Sequence, residues 1–134
     1  MKKQLFILIS ILFYGCQEQP KIPISNTLEI ALGNKYSTYV CKLNKAFKKD
    51  TTALLDFFKI NYINDGAGYD HGFILFQLMK VYGDREFSNT LQKTTESELS
   101  DLRQYFEVGI DANDKYKDEM KKEYPNSSDI LQIE

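Results

Sequence analysis

The residue types that could carry chemistry are concentrated in one short segment, Asn64 to Gly72. It contains His71, which is the only histidine of the chain, together with Asp65, Tyr69, Asp70 and three glycines. A histidine beside carboxylates can act as a general base or a metal ligand. Glycine-rich backbone that leads into a helix can instead present free N–H groups to an anion. We therefore treat Asp65, Tyr69, Asp70 and His71 as a possible binding loop.

An ordinary structural interpretation of the same segment is open as well. Its glycines suit the positive φ angles of a turn, Asp70 suits the N-cap of the next helix, and His71 then becomes a first-turn residue at the surface. Two aspartates would repel an anion. The spacing also does not fit a calcium loop, because Ile63 and Gly72 would occupy positions that need oxygen ligands.

Other routes to catalysis lack the residues that they need. One histidine and one thiol beyond the leader, Cys41, do not supply a usual zinc set, and the chain contains no P-loop, G-x-S-x-G or H-E-x-x-H pattern. We expect no metal and no cofactor, and the sequence favours a non-catalytic protein. A small hydrolase that uses acidic residues near Asp65–His71 is kept as an alternative, since two carboxylates suffice for such chemistry.

The rest of the chain predicts the elements that would hold this segment in place. Apolar residues recur at helical spacing, and no alternating strand pattern of useful length is present. Asp50 is a predicted N-cap, and Thr95 with Glu98 forms a predicted capping box. The ten residues from Phe73 to Tyr82 are apolar except for Gln77 and Lys80, as expected for a central helix. Helices are predicted near residues 28–32, 36–47, 51–60, 73–82, 84–91 and 96–110, with a charge-rich, solvated helix over 111–123.

The predicted fold class is therefore all-α: a compact bundle or short array of about six helices, built of helical hairpins, with no significant sheet. Residues 27–134 form the predicted single domain. At 134 residues and a net charge of −2, the chain has room for one domain and has no dense basic surface that would favour nucleic acid.

Residues 1–16 carry a different kind of pattern. Lys2 and Lys3 precede an apolar run from Leu5 to Tyr14, which is too short to span a bilayer, since spanning takes ~20 residues. The pair Gly15-Cys16 that follows resembles the lipobox of bacterial lipoproteins, although Phe13 and Tyr14 stand where that motif has leucine and a small residue.

This resemblance implies removal of residues 1–15 as a signal peptide, and lipidation of Cys16 by a diacylglyceryl thioether and an acylated amine, palmitate being a typical acyl group. Gln17 after the cysteine favours the outer membrane over the inner one. Residues 16–26 contain two prolines and predict an extended tether, long enough to lift the domain ~30 Å from the membrane. Cys41 is then without a disulfide partner. We expect a second packing partner on its side of the helix.

The expected function follows from this predicted location at a membrane. The chain resembles a membrane-anchored lipoprotein of the cell envelope, with a helical module that binds an as yet unknown envelope protein. Alternatives are a toxin-neutralising lipoprotein, either an immunity protein or an inhibitor, and the small envelope hydrolase.

Overall fold

A computed structural model describes residues 18–134. The predicted signal peptide and the predicted lipidation site at Cys16 lie outside these residues. Within the described part the chain forms eight α-helices and no strand, which confirms the all-α fold class. The helices are α1 (Asn26–Leu32), α2 (Tyr36–Phe47), α3 (Thr51–Phe58), α4 (Gly66–Tyr82), α5 (Asp84–Leu91), α6 (Glu96–Asp111), α7 (Asp114–Glu123) and α8 (Pro125–Leu131), with a 3₁₀ turn (Gly33–Lys35) between α1 and α2.

Helix starts follow local capping chemistry where the sequence predicted it. The Asp50 carboxylate accepts hydrogen bonds from the first backbone N–H groups of α3, at 2.9 and 3.2 Å. Thr95 and Glu98 form the reciprocal capping box of α6. Both predicted caps are confirmed, because each needs only residues within three positions of one another.

Helix α4 is the centre of the molecule, as its almost wholly apolar sequence predicted. It packs along α6 and also contacts α1, α2 and α5. The closest approach to α6 is made by Gly72 and Gly109. A Cβ atom on Gly109 would lie 2.6 Å from the Gly72 Cα, so only glycine lets the two backbones come this close.

The start of α4 differs from the prediction. Residues 61–72 were expected to be a loop, whereas the helix begins at Gly66 and includes most of that segment. Glycine is a poor helix former, but Gly68 and Gly72 both lie against α6, and this tertiary contact outweighs the local preference. Asp70 therefore lies in the second turn, and the N-cap position is occupied by Asp65 with a positive φ of 52°.

The sequence Gly83-Asp84 predicts that Asp84 is the N-cap of the helix that follows, but the structure gives Asp84 a different role. Gly83 occupies the N-cap position of α5, and the Asp84 carboxylate accepts hydrogen bonds from the backbone N–H groups of Asn126 and Ser127, at 3.0 and 2.8 Å. These are free N–H groups at the start of α8. Asp84 thus caps a helix more than forty residues away and fixes α8 on α5.

The described part of the predicted tether is packed on the domain. Ile22 is buried in the core. Asn44 of α2 accepts a hydrogen bond from the Lys21 N–H, at 2.9 Å, and donates one to the Gln19 carbonyl, at 3.0 Å. The predicted start of the folded part near Thr27 is therefore too late. The segment supplies a second packing partner for the side of α2 that carries Asn44; Cys41 is free and partly buried.

Candidate interaction surface at the start of helix α4

The residues of the predicted binding loop do not share one surface, because His71 points into the core. Its side chain is fully buried, and Nδ1 lies 2.8 Å from the hydroxyl of Tyr39 on α2. The rings of Phe57 and Tyr105 complete an aromatic cage, with centroids 5.4 and 4.6 Å from that of His71. The predicted surface position for His71 is wrong, since helix α4 starts earlier than expected and turns this residue inward.

Burial also decides the charge of His71. Desolvation penalises the imidazolium and lowers the pKa of His71 to about 3, so the ring is neutral near pH 7. Nε2 has no hydrogen-bond partner among the described residues. Burial likewise raises the pKa of Tyr39, with smaller contributions from Tyr62, Tyr105 and Asp70, so the phenol keeps its proton. The pair is a neutral, internal link between α2 and α4, and His71 cannot contact a partner on the surface.

Asp70 is partly buried and also makes a structural contact. Its carboxylate accepts a hydrogen bond from the hydroxyl of Ser25. The same hydroxyl accepts from the backbone N–H of Leu28, at 3.0 Å, and so caps α1. Asp70 therefore connects the start of α1 to the second turn of α4.

Asp65 and Tyr69 are the exposed members of the predicted loop. Tyr69 is 50% exposed. Two further large apolar side chains are exposed on neighbouring elements: Ile30 of α1, at 71%, and Tyr62 of the α3–α4 connection, at 38%. The ammonium group of Lys35 lies over the Tyr62 ring, 3.9 Å from its centroid. We refer to Ile30, Lys35, Tyr62, Asp65 and Tyr69 together as the α1–α4 face.

The elements of this face contact one another directly. Helix α1 packs on α4, and a Cβ atom on Gly66 would lie 3.9 Å from the Thr27 methyl group. The sequence predicted only Asp65 and Tyr69 of this face. Ile30 could have been found, because it lies on the opposite side of α1 from Leu28 and Leu32, but Tyr62 and Lys35 carry no signal of their contact.

The chemistry of the face suits packing and hydrogen bonding. Two tyrosines and an isoleucine offer apolar contact area, and the phenol groups, Lys35 and Asp65 offer polar contacts around it. Within residues 18–134 no group of three or more histidine, cysteine or acidic side chains is placed to hold a metal ion.

No helix of the described part combines the length and the hydrophobicity needed to cross a membrane. Comparison of the chain with models of known protein families, with curated proteins and with solved structures found no significant match.

Proposed function

We propose that this protein is a lipid-anchored lipoprotein of the cell envelope whose helical domain binds a protein partner through the α1–α4 face. Two independent features support the two parts of the proposal. The charged and apolar leader that ends in Gly15-Cys16 supports the anchor. The location of the exposed apolar side chains on adjoining elements supports the binding role.

The observation that carries the binding role is the location of Ile30, Tyr62 and Tyr69. They are the large hydrophobic side chains that are exposed among residues 18–134, and they lie on α1, on the α3–α4 connection and in the first turn of α4. Single exposed apolar residues are common, but a group on adjoining elements is typical of an interaction site. Tyrosine is enriched at such sites because it offers a large contact area and a polar group.

Photocrosslinking in living cells tests the binding role. A photoreactive phenylalanine analogue at Tyr69 is expected to give a discrete crosslinked band, which mass spectrometry then identifies. The same analogue at Lys121, an exposed position of α7 outside the face, is the matched control. A partner crosslinked from Lys121 and not from Tyr69 would place the binding site elsewhere.

Incorporation of radiolabelled palmitate tests the anchor separately. The label is expected on the unmodified chain and is lost in Cys16→Ser, whereas Cys41→Ser keeps it. An unlabelled, full-length protein in the aqueous fraction contradicts the anchor and leaves the result of the crosslinking experiment valid.

A further inference from the structure

A groove of about 420 Å³ runs beside α4, between that helix and the N-terminal segment. Its walls are apolar and include Pro23, Phe47, Phe73 and Val81. A volume of this size with mainly apolar walls and a few polar groups is typical of sites for small ligands. The groove does not include any residue of the α1–α4 face.

Its polar groups are cationic or neutral. Lys21, Gln77 and Lys80 line the groove beside the apolar walls. Lys80 pairs with Glu119 at 2.7 Å, whereas Lys21 is exposed and has no ion pair among the described residues. The Lys21 ammonium group is therefore free to bind an anion.

A second hollow, of about 290 Å³, adjoins the first and shares Pro23 and Phe73 with it. It continues along α4 past Ile74 and reaches Asp70, the acidic residue of its lining. We refer to the two adjoining hollows together as the channel; its lining is mainly apolar, with Lys21 in the first hollow and Asp70 in the second.

We propose that this channel binds a single-chain anionic amphiphile, a long-chain fatty acid, with its carboxylate at Lys21 and its acyl chain on Pro23 and Phe73. An acyl chain can cover the apolar side chains that line both hollows, and each methylene group removed from water contributes about 0.8 kcal/mol. A peptide segment fits less well, because the mainly apolar lining offers its N–H groups few acceptor side chains, namely those of Ser25, Asp70 and Gln77. The charges fix the direction, since Asp70 repels a carboxylate at the other end.

Calorimetric titration of the full chain with sodium palmitate, kept below its critical micelle concentration, tests the proposal. We expect saturable binding of one palmitate. Lys21→Glu is expected to weaken it by about fivefold to tenfold, because it replaces an attraction at the surface with a repulsion. Lys93→Glu, at an exposed position outside the channel, is the matched control and is expected to bind as the unmodified protein does.

Two further variants test the location. Gln77→Trp fills the groove, and Pro23→Glu places a carboxylate on its wall at an exposed position; both are expected to abolish binding while circular dichroism shows an unchanged fold. A cationic amphiphile of equal chain length, hexadecyltrimethylammonium, is expected to bind more weakly than palmitate. The proposal is overturned if palmitate does not bind, if both folded variants keep full affinity, or if the cationic amphiphile binds as tightly.

Discussion

The Tyr39 hydroxyl and the Nδ1 atom of His71 lie 2.8 Å apart in the core, and they join α2 to α4. This bond gives the buried imidazole one partner, while burial among aromatic rings deprives the charged form of hydration and disfavours it. It also connects two helices whose residues are 32 positions apart in the sequence. The central helix is therefore fixed by a specific polar contact as well as by apolar packing.

Acidification is expected to destabilise the fold through His71. The pKa of His71 is lowered to about 3 in the folded state, against about 6.5 in an unfolded chain. Between these values the unfolded state binds a proton that the folded state does not, so stability falls as pH falls, by up to about 1.4 kcal/mol per pH unit. Urea unfolding from about pH 7.5 to about pH 5 measures this slope. His71→Gln stays neutral and is expected to lose it; equal slopes in both proteins would contradict the prediction.

Gly109→Ala is expected to destabilise the protein by about 3 kcal/mol or more, because the added methyl group meets the backbone of α4. A Cβ atom there would lie 2.6 Å from the Phe73 amide nitrogen, and neither helix can move without losing core contacts. Gly68→Ala is the matched control, since its Cβ atom would be 3.7 Å from its nearest neighbours. That variant should change the free energy of unfolding by less than about 1 kcal/mol, with helix propensity favouring alanine. Similar losses in the two variants would refute the close helix crossing.

Asp84→Ala is expected to lower the free energy of unfolding by about 2 kcal/mol, because α8 loses its capping acceptor. Partial burial raises the pKa of Asp84, but hydrogen bonds from Ser127 and Asn126 outweigh it and hold the pKa below its usual value. The carboxylate is thus ionised and bound at neutral pH. Amide hydrogen exchange at Asn126 and Ser127 should accelerate in the variant. Asp118→Ala, exposed on α7, serves as the control and should leave both measurements unchanged.

Asn44→Ala is expected to release the N-terminal segment from α2. Both hydrogen bonds that hold Gln19 and Lys21 are lost, so the segment opens more often and trypsin cleaves after Lys21 roughly tenfold faster. Thr38→Ala, exposed on the same helix, should be cleaved at the original rate. An unchanged rate in Asn44→Ala would show that Ile22 alone holds the segment.

Local sequence patterns predicted the helices that depend on local forces. α3 and α6 begin at their predicted caps, because a cap and its N–H partners are neighbours in the chain. The start of α4 was missed, since three glycines lower helix propensity, and the close contact with α6 that requires glycine at position 72 is a tertiary one. The predicted surface location of His71 was wrong because the earlier start of α4 turns this residue into the core.

Contacts between residues that are distant in the chain could not be predicted from the sequence. The side chain of Asp84 bonds to residues 42 and 43 positions away, and Tyr39 bonds to a residue 32 positions away. Nothing in the local pattern distinguishes a tertiary cap from a local one. The exposure of Tyr62 could not be predicted either, because it depends on how the α3–α4 connection packs.

The attachment of Gln19 to Asn44 limits how far the domain can stand from a bilayer. In the proposed lipoprotein, the chain between Cys16 and Gln19 spans at most about 11 Å, even when fully extended. The domain is then held at the height of the lipid headgroups. It can rotate there, but the short linker does not let it move far from the membrane surface. A partner must present its own contact surface within a molecular diameter of the same membrane.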